Sequence, residues 1–137
     1  YAALRTLGFL ISAGANVNAR TPVNETPLML AAFFFDESRD GGTRSYERHE
    51  QAVHMLVDAG ASLENDAYHY TPLAYAAYQG HDRIVRFLIE RGARVDADAR
   101  NDMTYINTPL MMAAIQGHQR TVHSLLHAGA NPRVRIH

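Results

Sequence analysis

Eight histidines and fourteen carboxylates are the side chains of this 137-residue sequence best suited to chemistry, and their spacing decides whether they can act together. His123 and His127 stand four apart in a helix-like stretch, a spacing that puts two imidazoles on one face. A metal site needs three or four ligands, and no acid lies near them in sequence, so they read as surface or capping residues. Asp96, Asp98 and Asp102 alternate along a link, which suggests a weak cation site. The other ligands of a calcium loop are missing, and solvated carboxylates explain them. Gly41-Gly42 is too short to cradle a phosphate and is not set in a strand-to-helix turn. No nucleophile motif, phosphate loop or zinc-ligand run occurs. The sequence therefore predicts no catalytic residue, no metal, no cofactor and no enzyme activity.

The elements that would position any site come next. Apolar residues make up 47% and charged residues 20%, the balance of a soluble globular chain long enough for one domain. A formal charge of −1 carries no global field for nucleic acid or an anionic membrane, so neither is expected as a partner. The absence of Cys removes disulfides and thiolate zinc sites and leaves the redox compartment unreadable. No apolar run approaches a membrane span, and the start lacks a signal-peptide pattern. A cytoplasmic monomer is expected. Because Tyr1 is not an initiator Met, a longer native N-terminus is also expected, which keeps a secreted or periplasmic location open. All thirteen basic residues are Arg. Codon bias in a GC-rich, most often bacterial, genome explains this, and so does selection against Lys acylation or ubiquitin attachment.

Two phrases repeat along the chain. Thr26-Pro27-Leu28-Met29-Leu30-Ala31-Ala32 returns as Thr71-Pro72-Leu73-Ala74-Tyr75-Ala76-Ala77 and as Thr108-Pro109-Leu110-Met111-Met112-Ala113-Ala114. Gly-Ala followed by an apolar residue appears from Gly14, Gly60 and Gly92, and from Gly129 with Pro132 at the apolar place. Thr and Gly stand 21 residues apart in each of the last two units. Thr before Pro starts a helix, since the hydroxyl caps a backbone N–H and Pro at the first position loses no hydrogen bond. Apolar residues at i, i+3 and i+4 then mark a second helix in each unit: Leu7/Leu10/Ile11, Val53/Leu56/Val57, Val85/Leu88/Ile89 and Val122/Leu125/Leu126. Gly ends it in the left-handed region.

These phrases resemble the ankyrin repeat, whose mark is T-P-L-H-x-A at a period of about 33 residues. Gly80-His81 and Gly117-His118 match that family's turn between helices, and Arg48-His49 resembles a degraded copy of it. The resemblance implies an all-α fold: a solenoid of stacked helix–turn–helix units with hairpin-like loops. It also implies structural roles for His49, His81 and His118. The motif His is replaced by Met29, Ala74 and Met111, which predicts apolar packing in place of a local polar tie.

One ankyrin-type domain over 1–137 follows. It comprises a partial repeat at 1–20, a repeat at 21–66 with an inter-helix insertion at about 35–48, a repeat at 67–103 and a last one at 104–137. Ser124, His123 and His127 suggest a polar C-terminal cap, since the matching sites upstream of Ser124 are Phe9, Met55 and Phe87.

The resemblance implies work by protein binding. Sites after each Ala pair end the first helix and, in ankyrin repeats, look into the concave groove: Phe33 and Phe34, Tyr78 and Gln79, Ile115 and Gln116. Hairpin tips would add Tyr68, Tyr70 and Tyr105, with Arg100 at the rim. Aromatic residues and Arg are enriched at interface hot spots. The Phe33–Phe35 triplet equally suits an anchor for the insertion. The alternatives are a targeting or regulatory segment of a larger enzyme, a secreted bacterial effector, or a toxin-neutralising protein.

Overall fold

Each Thr-Pro phrase begins a short helix in the computed structural model, which describes residues 2–22, 25–33, 43–64, 71–96, 99–100 and 106–132. The Thr26, Thr71 and Thr108 hydroxyls accept from the backbone N–H groups of Met29, Ala74 and Met111 at 3.2, 3.2 and 3.3 Å. Because that hydroxyl satisfies one of the N–H groups a helix start leaves unpaired, the cap stabilises each start by about 1 kcal/mol.

The described elements are α1 (Ala2–Ser12), α2 (Pro27–Phe33), α3 (Thr43–Asp58), α4 (Pro72–Gln79), α5 (Asp82–Glu90), β1 (Ala99–Arg100), β2 (Ile106–Asn107), α6 (Pro109–Ile115) and α7 (Gln119–His127). The short helices α2, α4 and α6 pack in one row; α1, α3, α5 and α7 form the row beside it. The solenoid architecture is the one the repeated phrases imply. A hairpin-like link also appears, as the antiparallel pairing of Ala99 with Asn107 and Arg100 with Ile106.

The core lies between the two rows. Leu28, Leu73 and Leu110 enter it from the Thr-Pro-Leu phrase, and Val53, Leu56, Val85, Leu88 and Leu125 from the second helices. Ala32, Ala76, Ala77 and Ala113 are buried with them, their single methyls letting backbones approach closely. Every second helix closes in the same way. After α5, Gly92 takes a φ of +99, so that the Ala93 N–H turns back to the Leu88 carbonyl at 3.0 Å. Ala15, Ala61 and Ala130 repeat that bond to Leu10, Leu56 and Leu125.

Three expectations are corrected. The insertion at about 35–48 does not lie wholly between helices, because α3 begins at Thr43 and runs through Arg48-His49, where the resemblance implies a turn. No Gly or Pro follows Gly42 there, so nothing stops the helix from continuing back from the packed stretch. Next, Leu126 is 41% exposed and Leu10 is 47% exposed, although both stand in the apolar i, i+3, i+4 pattern from which a buried face is expected. Leu126 lies about 100° around the helix from fully buried Leu125, which places it at the stripe's edge. Leu10 sits on α1, which packs chiefly on α3, with no first helix paired to it among the described residues. Ser124, finally, does not face outward as a cap. Its hydroxyl donates to Asp82 Oδ1 at 2.6 Å, tying α7 to α5.

Candidate functional site

The short helices α4 and α6 end on residues that are not fully buried. Tyr78 and Gln79 close α4 and are half-buried; Ile115 closes α6 and is 70% exposed, and Gln116 caps it in the open. Tyr78 and Ile115 hold the same place after the Ala pair, and α4 packs against α6. The stack therefore presents an aromatic ring and a branched apolar side chain at matching positions of adjacent units.

The turn behind them is braced. His118 Nε2 donates to the Tyr78 carbonyl at 2.9 Å, and because a carbonyl only accepts, that nitrogen carries the proton. This bond spans from one unit to the next and gives His118 the structural role that the resemblance implies. It also bonds the last unit to the backbone beneath the Tyr78 ring.

Other candidate residues are placed less fully. Phe33 ends α2, and its side chain lies outside the described residues, as does that of Arg100 in β1. Phe34, Tyr68, Tyr70 and Tyr105 lie wholly outside them, as do Asp98 and Asp102. Thus Tyr78, Gln79, Ile115 and Gln116 are the expected contact residues that the structure places in full. His123 and His127 are exposed on α7. Among the described residues no three His, Asp or Glu side chains come together in a way that could hold a metal, and no helix is long and apolar enough to cross a membrane.

Sequence reasoning missed a ladder of polar ties along the loops. Asn18 Oδ1 accepts from the Ser62 N–H at 2.6 Å, Glu64 Oε1 from Arg94 N–H at 2.8 Å, and Asp96 Oδ1 from Asn131 N–H at 2.8 Å. Each acceptor stands four residues after a phrase's Gly, and each donor two residues after the next one. The signal was in plain sight: a polar residue at the same place in three units. Asp96 is therefore an inter-unit brace. His54 was also overlooked. It stacks on Phe87, centroids 3.7 Å apart and planes within 11°, and its buried Nε2 has no hydrogen-bond partner among the described residues. Arg91 bonds Asp58 at 3.0 Å and rests its guanidinium 5.0 Å from the Phe87 ring, adding to the bond between α3 and α5.

Comparison with protein families finds a match to the model described as ankyrin repeats (3 copies), over residues 1–101 and again over 45–136. No curated protein matches the chain.

Proposed function

The chain belongs to the ankyrin-repeat family, and from that premise we propose that it is a protein-binding module gripping its partner with the side chains that close the first helices, and without catalysis of its own. Ankyrin repeats are in general protein-interaction modules, and what a particular one binds depends on the surface its units present. One observation carries the reading. Ile115 is left 70% exposed at the place where α6 ends, the position that matches Tyr78 on the adjoining α4. A large apolar side chain left in water at a repeated position is suited to contact with another protein. Gln79 and Gln116 flank the pair with amide donors and acceptors. Phe33, Phe34, Tyr68, Tyr70, Arg100 and Tyr105 extend the same proposed surface along the groove and its hairpin rim.

The test is recovery of a partner from the native source by the wild-type chain, repeated with Tyr78→Ala/Ile115→Ser. Loss of the partner, with the thermal midpoint held, supports the groove. A partner that binds the double variant undiminished, and is released instead by charge placed on the outer face of α5 and α7, overturns it.

A further inference from the structure

The seams between successive second helices repeat the same positions with different residues. Counted back from the Gly that follows each helix, His54 and Asp58 of α3 correspond to Arg86 and Glu90 of α5. By the same count, Phe87 and Arg91 of α5 correspond to Ser124 and Ala128 of α7. Between α3 and α5 the large members fill the seam. The Phe87 ring stacks on His54 at 3.7 Å, and the Arg91 guanidinium lies 5.0 Å from that ring while bonding Asp58 at 3.0 Å. Phe87 is buried as a result.

Between α5 and α7 the ring and the guanidinium are replaced by a hydroxyl and a methyl, and the seam stays open. A cleft of about 500 Å³ lies there, lined from α5 by Arg86, Ile89 and Glu90 and from α7 by Ser124 and Ala128, with the rings of His123 and His127 beside them. Its charges are unequally matched. Arg86 is paired with Asp82 through its Nε at 3.2 Å, and the Ser124 hydroxyl is turned to the same carboxylate. Glu90 is exposed and forms no ion pair among the described residues, whereas its counterpart Asp58 holds Arg91. The two groups that an aromatic ring and a cation would need are thus already present. Arg guanidinium groups lie favourably on aromatic faces, and a free carboxylate at the cleft's edge attracts a cation.

We propose that this cleft receives a helical segment of a partner protein carrying an aromatic residue and, four residues later, an Arg. The ring lies against Ile89 and the Arg86 guanidinium, and the partner's cation meets Glu90. The spacing is the one α5 itself uses, since Phe87 and Arg91 stand four residues apart on one helix face and fill the preceding seam together. Ser124 and Ala128, the small residues that leave the room, stand at the same spacing on α7. None of the lining residues belongs to the groove at Tyr78 and Ile115, so the cleft stands or falls apart from that reading.

The test titrates an alanine-rich helical peptide with Phe and, four residues later, Arg into the whole chain by calorimetry. One twin has Ala in place of the Phe, a second has Gln in place of the Arg, and phenethylguanidine serves as a small aromatic cation. The parent peptide is expected to bind about tenfold tighter than the twin without the ring. It should bind about threefold tighter than the twin without the cation, a margin that shrinks as salt rises. Glu90→Gln, which breaks no bond among the described residues, should make the parent and the Gln twin bind alike. Ala128→Arg, which restores a cation at the place of Arg91, should weaken the parent while the thermal midpoint holds or rises. The same change at the exposed Glu47 of α3, Glu47→Gln, should leave both margins as they are. Three peptides bound alike, no binding by the parent, or an undiminished preference for Arg in Glu90→Gln would each overturn the proposal. Phenethylguanidine bound as tightly as the parent would make the cleft a small-molecule pocket and refute the protein-segment reading.

Discussion

Gly80 answers two demands at once. Its φ is +73, and a Cβ built there would fall 2.6 Å from His118 Nδ1. Gly92, at φ +99, meets only the first demand, since no atom of the described residues lies within 4 Å of its Cβ position. Gly92→Ala should therefore cost about 1–2 kcal/mol, the strain of a left-handed Ala. Gly80→Ala should cost visibly more, because the imidazole must also move and loosen its bond to the Tyr78 carbonyl. Urea unfolding of the two variants compares them directly; equal losses would mean that His118 yields freely. The loop braces make a gentler case. Asp96→Ala removes an exposed bond to a backbone N–H and should cost about 0.5–1.5 kcal/mol, while Asp96→Asn keeps an acceptor and should cost less. Residues that act on near neighbours, such as the Thr caps, were legible in the sequence because the partner is three positions away. Asp96 and His118 act across 35 and 40 positions, and those pairings exist only once the units are stacked.

At the level of elements, the 3.6-residue period located every second helix but blurred its centre. A stripe of three apolar residues has an edge, and the pattern alone does not say which member occupies it. Leu125 is fully buried and Leu126 is 41% exposed. Leu125→Ala should therefore cost about 2–5 kcal/mol and Leu126→Ala about 1 kcal/mol or less. Thermal or urea unfolding separates them, and similar losses would put Leu126 back in the core. The start of α3 was missed for a different reason. Matching to the repeat aligns the segment before Glu50 with a turn, yet local propensity favours helix from Thr43 onward. Glu47 is exposed within that extension. Glu47→Gly should cost about 1 kcal/mol in a helix interior and almost nothing in a loop. A change in stability near zero would restore the insertion as a loop.

For the molecule as a whole, the described helices pack chiefly on those of neighbouring units, so stability should behave as a chain of units joined by interfaces. The fold was legible at this scale because two phrases kept in register admit few other architectures. The proposed contact surface was legible only as a set of positions. How far each of those side chains stays exposed depends on the packing of neighbouring units, and no local pattern encodes that. The last interface offers a direct test of the nearest-neighbour picture. Asp96 to Asn131, His118 to Tyr78 and Ser124 to Asp82 all bridge the unit of α4 and α5 to that of α6 and α7. Removing two of them in Asp96→Ala/His118→Ala should weaken this one seam. Native-state hydrogen exchange should then show faster exchange in α6 and α7, by roughly tenfold for each ~1.4 kcal/mol lost, with α4 and α5 changed much less. A uniform fall in protection from α2 to α7 would instead mean that the stack opens as one body. The distinction reaches function, because Tyr78 and Ile115 belong to the two units on either side of the seam. If the seam opens separately, the same double variant should bind a groove partner more weakly while both contact side chains remain intact, since their relative placement is no longer held before the partner arrives.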